Sequence, residues 1–101
     1  MHVDVFAALG DETRLGLIAR LSENGPVSIV RLSAGTGMTR QAVTKHLKVL
    51  GHANLVRHRR HGRETLWEIE PEGFDTARAF IDAMSRRWEA RLEALRNFVE
   101  D

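Results

Sequence analysis

Thirteen residues near the middle of the chain, MTRQAVTKHLKVL (38–50), set two kinds of side chain at helical spacing. Val43, Leu47 and Leu50 fall four and then three residues apart, which aligns them along one edge of an α-helix. Arg40, Gln41, Thr44, Lys45 and Lys48 stand between them, so the other edge is cationic and carries an amide and a hydroxyl. Arginine and glutamine near a helix N-terminus can make paired hydrogen bonds to base edges in a DNA major groove. Lysine, threonine and the free amides of the first turn suit phosphates. Thr39 can cap the helix with its hydroxyl. Taken alone, a helix like this is also an ordinary surface helix, so its neighbours decide what the cationic edge is for.

The charge around it is segregated. No Asp or Glu occurs between Glu23 and Glu64, whereas Arg31, Arg40, Lys45, Lys48, Arg57, Arg59, Arg60 and Arg63 fall inside that span. Both flanks are net acidic, and the formal charge of the whole chain is only +1. An acid-free cationic block inside a nearly neutral protein is an electrostatic footprint for a polyanion.

The elements that must hold this block can be read on either side of it. In GDETRLGLIARLSENG, Asp11 is a helix N-cap, Leu15, Ile18, Ala19 and Leu21 lie on or near one face, and Asn24-Gly25-Pro26 ends the helix. Val3, Phe6, Ala7 and Leu9 suggest a further helical turn or two before it. SIVRLSAGTG offers Ser28 as a cap for Ile29, Val30 and Leu32, and then a glycine pair that stops the helix. The Gly-Thr-Gly lacks the preceding strand and following lysine of a phosphate loop, so a turn is the better reading. Two short helices joined by a tight glycine-containing turn form a helix-turn-helix, with residues 39–50 as its second helix.

Beyond it, LVRHRRHGRETLWEIE alternates side chains on either side of Gly62 and predicts a two-stranded hairpin over residues 56–69. Its basic tip, Arg59-Arg60-His61-Gly62-Arg63, can reach a phosphate backbone or the adjacent minor groove. Basic residues also protect exposed sheet edges, and both roles can coexist. The histidines do not suggest a metal site. His58 and His61 point to opposite faces of a strand, and His2, His46 and His52 have no ligand spacing. His46 either packs at the edge of the motif or touches phosphate.

From residue 73 to about 99 the pattern is that of one long helix. Phe74, Ile81, Trp88 and Leu95 recur every seven residues, joined by Ala77, Met84 and Phe98, with Leu92 and Val99 alongside and Arg91 as an interruption. Phe74, Ala77 and Ile81 are expected on the chain's own core. The rest of a helix about 40 Å long needs another partner, most simply a second copy, with Trp88, Leu92, Leu95 and Phe98 at the interface.

At 101 residues the chain has room for one domain, 1–101, with a modest core that a second subunit would extend. It has no cysteine, which excludes disulfides and thiolate metal sites. No apolar run approaches the roughly 20 residues that span a bilayer, and the first residues lack a basic start and apolar core. A soluble, cytoplasmic protein is expected. There is no paired carboxylate, activated nucleophile or cofactor loop, which argues against an enzyme and against a cofactor.

A helix-turn-helix followed by a basic hairpin is a winged helix, mainly α with a small β-hairpin. LGDETRLGLIARL, MTRQAVTKHLKVLGHANLV and RHGRETLWEI together resemble the ArsR-type family of bacterial repressors, from about Phe6 to Phe98. The resemblance implies a homodimeric transcriptional repressor on a palindromic operator in double-stranded DNA, with helix 39–50 in the major groove and hairpin 56–69 as the wing. It implies a dimer built from the first and last helices, which adds Val3 and Phe6 to the interface. The DNA contacts expected from the residues of that helix and hairpin are Thr39, Arg40, Gln41, Thr44, Lys45, His46, Lys48, Arg57, Arg59, Arg60, His61 and Arg63. Many family members release DNA on binding a metal, and here the chain departs. The family's Cys-x-Cys would fall at Ser28 and Val30, and its other metal site needs histidine on the last helix, where this chain has none after His61. No metal is expected, which leaves a small-molecule inducer, another protein, or nothing beyond changes in protein level as the signal. A different class of function also fits the charge: a winged helix that binds an acidic protein partner. Gln41 and Thr44, neutral groups suited to bases, favour DNA.

Overall fold

The computed structural model describes the backbone of residues 2–100 and the side chains of residues 4–100. The side chain of Val3, expected at a dimer interface, therefore lies outside the described residues. The elements run α1 (His2–Leu9), α2 (Glu12–Asn24), β1 (Val27–Ser28), α3 (Ile29–Ser33), α4 (Arg40–His52), β2 (Val56–His61), β3 (Glu64–Ile69) and α5 (Pro71–Glu100).

Local chemistry fixes the boundaries. The Asp11 carboxylate accepts a hydrogen bond from the Arg14 amide at 2.9 Å and starts α2, where the sequence placed its cap. Between α3 and α4, Gly35 and Gly37 adopt φ of 78° and 75°, a backbone conformation that side chains with a Cβ resist. Thr36 closes the same turn, donating its hydroxyl to the Ser33 carbonyl and accepting from the Met38 amide. Thr39 then caps α4, its hydroxyl accepting from the Ala42 amide at 3.0 Å.

Three strands form one antiparallel sheet in the order β1-β3-β2. The hairpin turns at Gly62, and His61 pairs with Glu64 at its tip. Two-residue β1 was not expected. It adds Val27 opposite Trp67 and Ser28 opposite Leu66, which turns the two-stranded hairpin into a three-stranded sheet and anchors it beside α3.

The core draws on most of these elements. Val43, Leu47 and Leu50 of α4 are fully buried and meet Leu17 and Leu21 of α2, Leu32 of α3, and Val56 and Trp67 of the sheet. On α2 the expected face is corrected: Leu17 and Leu21 point inward, Ile18 is half-buried, and Leu15 and Ala19 are exposed. The run Leu-Gly-Leu-Ile-Ala offers two overlapping apolar registers, and packing chose the one through Leu17. In α1 the buried residues are Val5 and Ala8, while Phe6 and Ala7 are exposed.

Two arginines tie the elements together. Arg14 donates its Nε to the Ala8 carbonyl at 2.7 Å, satisfying the end of α1. Arg20 reaches from α2 and donates one nitrogen to the carbonyls of Leu32 and Ala34 at 2.7 and 2.8 Å, which fixes the turn ahead of α4.

Helix α5 has thirty residues, about 45 Å at 1.5 Å per residue, and gives the molecule a long dimension of 68 Å against 25 and 22 Å. Its first turns pack closely. The Gly73 amide donates to the Asn54 carbonyl at 2.8 Å, and a Cβ at Gly73 would lie 2.5 Å from the carbonyl oxygens of Ala53 and Asn54. Gly73 and Ala77 are buried and Phe74 is half-buried, as expected for the first two turns, but Ile81 is exposed. Phe80 instead faces α1, its ring 5.5 Å from that of Phe6. Among the described residues, no helix is long and apolar enough to cross a membrane.

Candidate nucleic-acid interface

The face of α4 turned away from the core carries the residues singled out in the sequence. Arg40, Gln41, Thr44, Lys45 and Lys48 line one shallow concavity of about 410 Å³. All but half-buried Thr44 are exposed, and no carboxylate lies on this helix. Because Val43, Leu47 and Leu50 are immobilised in the core, these side chains project from a rigid platform. Thr44 is the exception in its chemistry. Its hydroxyl donates to the Arg40 carbonyl at 2.8 Å, so its oxygen is left to act as an acceptor.

His46 is half-buried on the flank of α4, on the side of the α2 N-terminus. Asp11 has its carboxyl held below the ordinary 3.8, first by the Arg14 amide and then by the charges of Arg14 and His46.

The wing divides into a compensated base and a free tip. Arg57 donates to Glu68 at 3.1 Å and to Glu70 at 2.8 Å, and Arg59 lies 3.4 Å from Glu68. Arg60, His61 and Arg63 are exposed at the turn. The acids that hold Arg57 follow the cationic block in sequence, and the antiparallel register sets Arg57 opposite Glu68. Counting charges along the chain could not reveal that pairing. Among the described residues, no group of three or more His, Asp or Glu is arranged to hold a metal ion.

A helix-turn-helix whose second helix presents an acid-free cationic face, followed by a basic-tipped β-hairpin that joins β1 in a three-stranded sheet, defines a winged helix-turn-helix. The helix-turn-helix domain family matches residues 9–59. The chain is 32% identical over 93 residues to an HTH-type transcriptional regulator of Mycobacterium tuberculosis, covering 92% of this chain and 83% of that protein. It is 27% identical over 95 residues to the arsenical resistance operon repressor of Escherichia coli, covering 94% of this chain and 81% of that one. Among solved structures, an ArsR-like transcriptional regulator from Rhodococcus sp. RHA1 superposes with a TM-score of 0.85 at 29% identity, covering 96% of this chain and 91% of the other. The protein belongs to the ArsR-type family of winged-helix DNA-binding transcriptional regulators.

Proposed function

We propose that two copies of this chain form a sequence-specific repressor that holds a palindromic operator, one α4 helix in each of two successive major grooves. The observation that carries this reading is the α4 face: five polar or cationic side chains, free of carboxylates, on a helix whose other edge is fully buried. Arg40, Gln41 and Lys45 reach base edges, and Thr44 offers its acceptor oxygen. Thr39, His46 and Lys48 meet phosphates. Arg59, Arg60, His61 and Arg63 hold the backbone from the wing, with Arg57 contributing least because two carboxylates already bind it.

The copies join through α5. Met84, Trp88, Leu92, Leu95 and Phe98 lie exposed along one helix and form an apolar stripe that a single chain does not cover. Phe6 sits at the edge of this surface, already against Phe80. Repression, rather than activation, is supported by the name of the E. coli relative.

Fluorescence anisotropy on duplex DNA from upstream of the protein's own gene, beside a scrambled duplex at physiological salt, tests the reading. The expected result is a preference of about a thousandfold or more, with affinity falling steeply as salt rises. Equal, weak binding to both duplexes would overturn it.

A further inference from the structure

The sheet face turned toward α4 carries an aromatic pair. His58 stands opposite Trp67 in the β2–β3 register, and the two rings lie 4.8 Å apart at 48°. Val56, two residues before His58, shares that face and is buried. Across from them α4 presents Leu47, Lys48, Gly51 and His52, and between helix and sheet lies an open cleft of about 330 Å³. Its floor is apolar: Trp67 and Val56 present small exposed edges there, over fully buried Leu47. The glycine at 51 keeps one wall thin, with the Val56 carbonyl 3.8 Å from where a Cβ would be.

The polar residues around the cleft are Lys48, His52, Arg57 and His58, and no carboxylate lines it. Arg57 is engaged by Glu68 and Glu70. Lys48 and the two imidazoles are therefore the donors available to an occupant. An apolar floor with an aromatic wall and a cationic rim complements a flat ring that carries one negative charge. The volume is at the lower end for small-molecule sites and fits one or two fused rings.

We propose that this cleft binds a small aromatic monocarboxylate, its ring packed against Trp67 and His58 and its carboxylate on Lys48. Lys48 also lines the cationic face of α4. An occupant that takes this ammonium removes it from phosphate, so aromatic acid and DNA compete, and each weakens the other by the same factor. The competition, though not the binding, rests on the proposed DNA contacts.

The test is a nitrogen-15 NMR titration of the full chain with benzoate and 2-naphthoate, and with benzamide as the uncharged counterpart. The expected result is saturable shifts at the Trp67 indole N–H and at amides of residues 47–58, with benzoate binding at least about tenfold tighter than benzamide. His58→Ala, outside the proposed DNA contacts, should weaken both acids at least about threefold while leaving the rest of the spectrum in place. No saturable shift, equal response to benzamide, or unchanged affinity in His58→Ala would overturn the assignment. Adding benzoate to the duplex-bound protein should then lower anisotropy, and retention of the duplex at saturating benzoate would overturn the competition. A protein that shows the NMR shifts but binds no duplex would overturn the DNA reading while supporting the cleft.

Discussion

Helices α4 and α5 carry the same kind of apolar stripe and use it differently. In α4, Val43, Leu47 and Leu50 are all 0% exposed, locked among α2, α3 and the sheet. In the distal half of α5, Met84, Trp88, Leu92, Leu95 and Phe98 are between 42% and 81% exposed. The periodicity alone does not distinguish them. What separates them is reach: α4 lies between other elements, whereas α5 runs past the end of its own core. The first stripe fastens a functional face to the chain, and the second is itself a surface that needs covering.

Substitutions in the two stripes should have different consequences. Leu47→Ala should have the largest effect, a loss of about 2–5 kcal/mol of unfolding free energy in denaturant melts, because it opens a cavity under α4. Trp88→Ala should leave the stability of an isolated subunit nearly unchanged and weaken self-association by about 2–4 kcal/mol, measured by sedimentation equilibrium. If instead it destabilised the subunit as Leu47→Ala does, the two stripes would not differ in kind. Gly73→Ala probes the close contact where α5 starts against the chain that leaves α4. Its Cβ would press on two backbone carbonyls, and a loss of about 1–3 kcal/mol in thermal or denaturant unfolding is expected.

On the polar side of α4, Gln41→Ala should cost about 1–3 kcal/mol on a cognate duplex and relax the preference at one base pair. Arg60→Ala in the wing should weaken binding to all sequences alike and reduce the salt slope by about one. Anisotropy titrations across salt distinguish the two. The smallest effect concerns Asp11, beside His46 at the edge of α4. Its carboxyl titrates below the ordinary 3.8 in the folded chain, so the stability it contributes is present above that pH and lost as pH falls through the lowered value. Between about pH 5 and pH 3 the wild type should lose more melting temperature than Asp11→Asn, in which position 11 does not titrate.

Much of this was legible in the sequence because single side chains dictate single local geometries. Asp11 and Thr39 mark helix starts by what their oxygens accept, Gly62 marks the hairpin turn, and the heptad from Phe74 to Leu95 marks α5. The misreadings have tertiary causes. Strand β1 is two residues long, too short for any periodicity, and exists because Val27 finds Trp67 forty residues later. The inward face of α2 moved to Leu17 because the neighbouring apolar positions offered two registers. Phe80, rather than Ile81, meets α1 because the entry angle of α5 is set at Gly73, where a close approach to Ala53 and Asn54 leaves no room for a side chain. At the candidate site, the α4 face lies on one short helix and could be read directly. The neutralisation of Arg57 depends on strand pairing and could not.

In the proposed assembly, α5 joins two chains so that two α4 helices meet DNA together. Selection of bound duplexes from a random library by the wild-type protein tests it most directly. The expected result is enrichment of an inverted repeat with half-site centres about 10 base pairs, or a multiple of that, apart. Enrichment of a single unpaired half-site, or of no sequence at all, would contradict it.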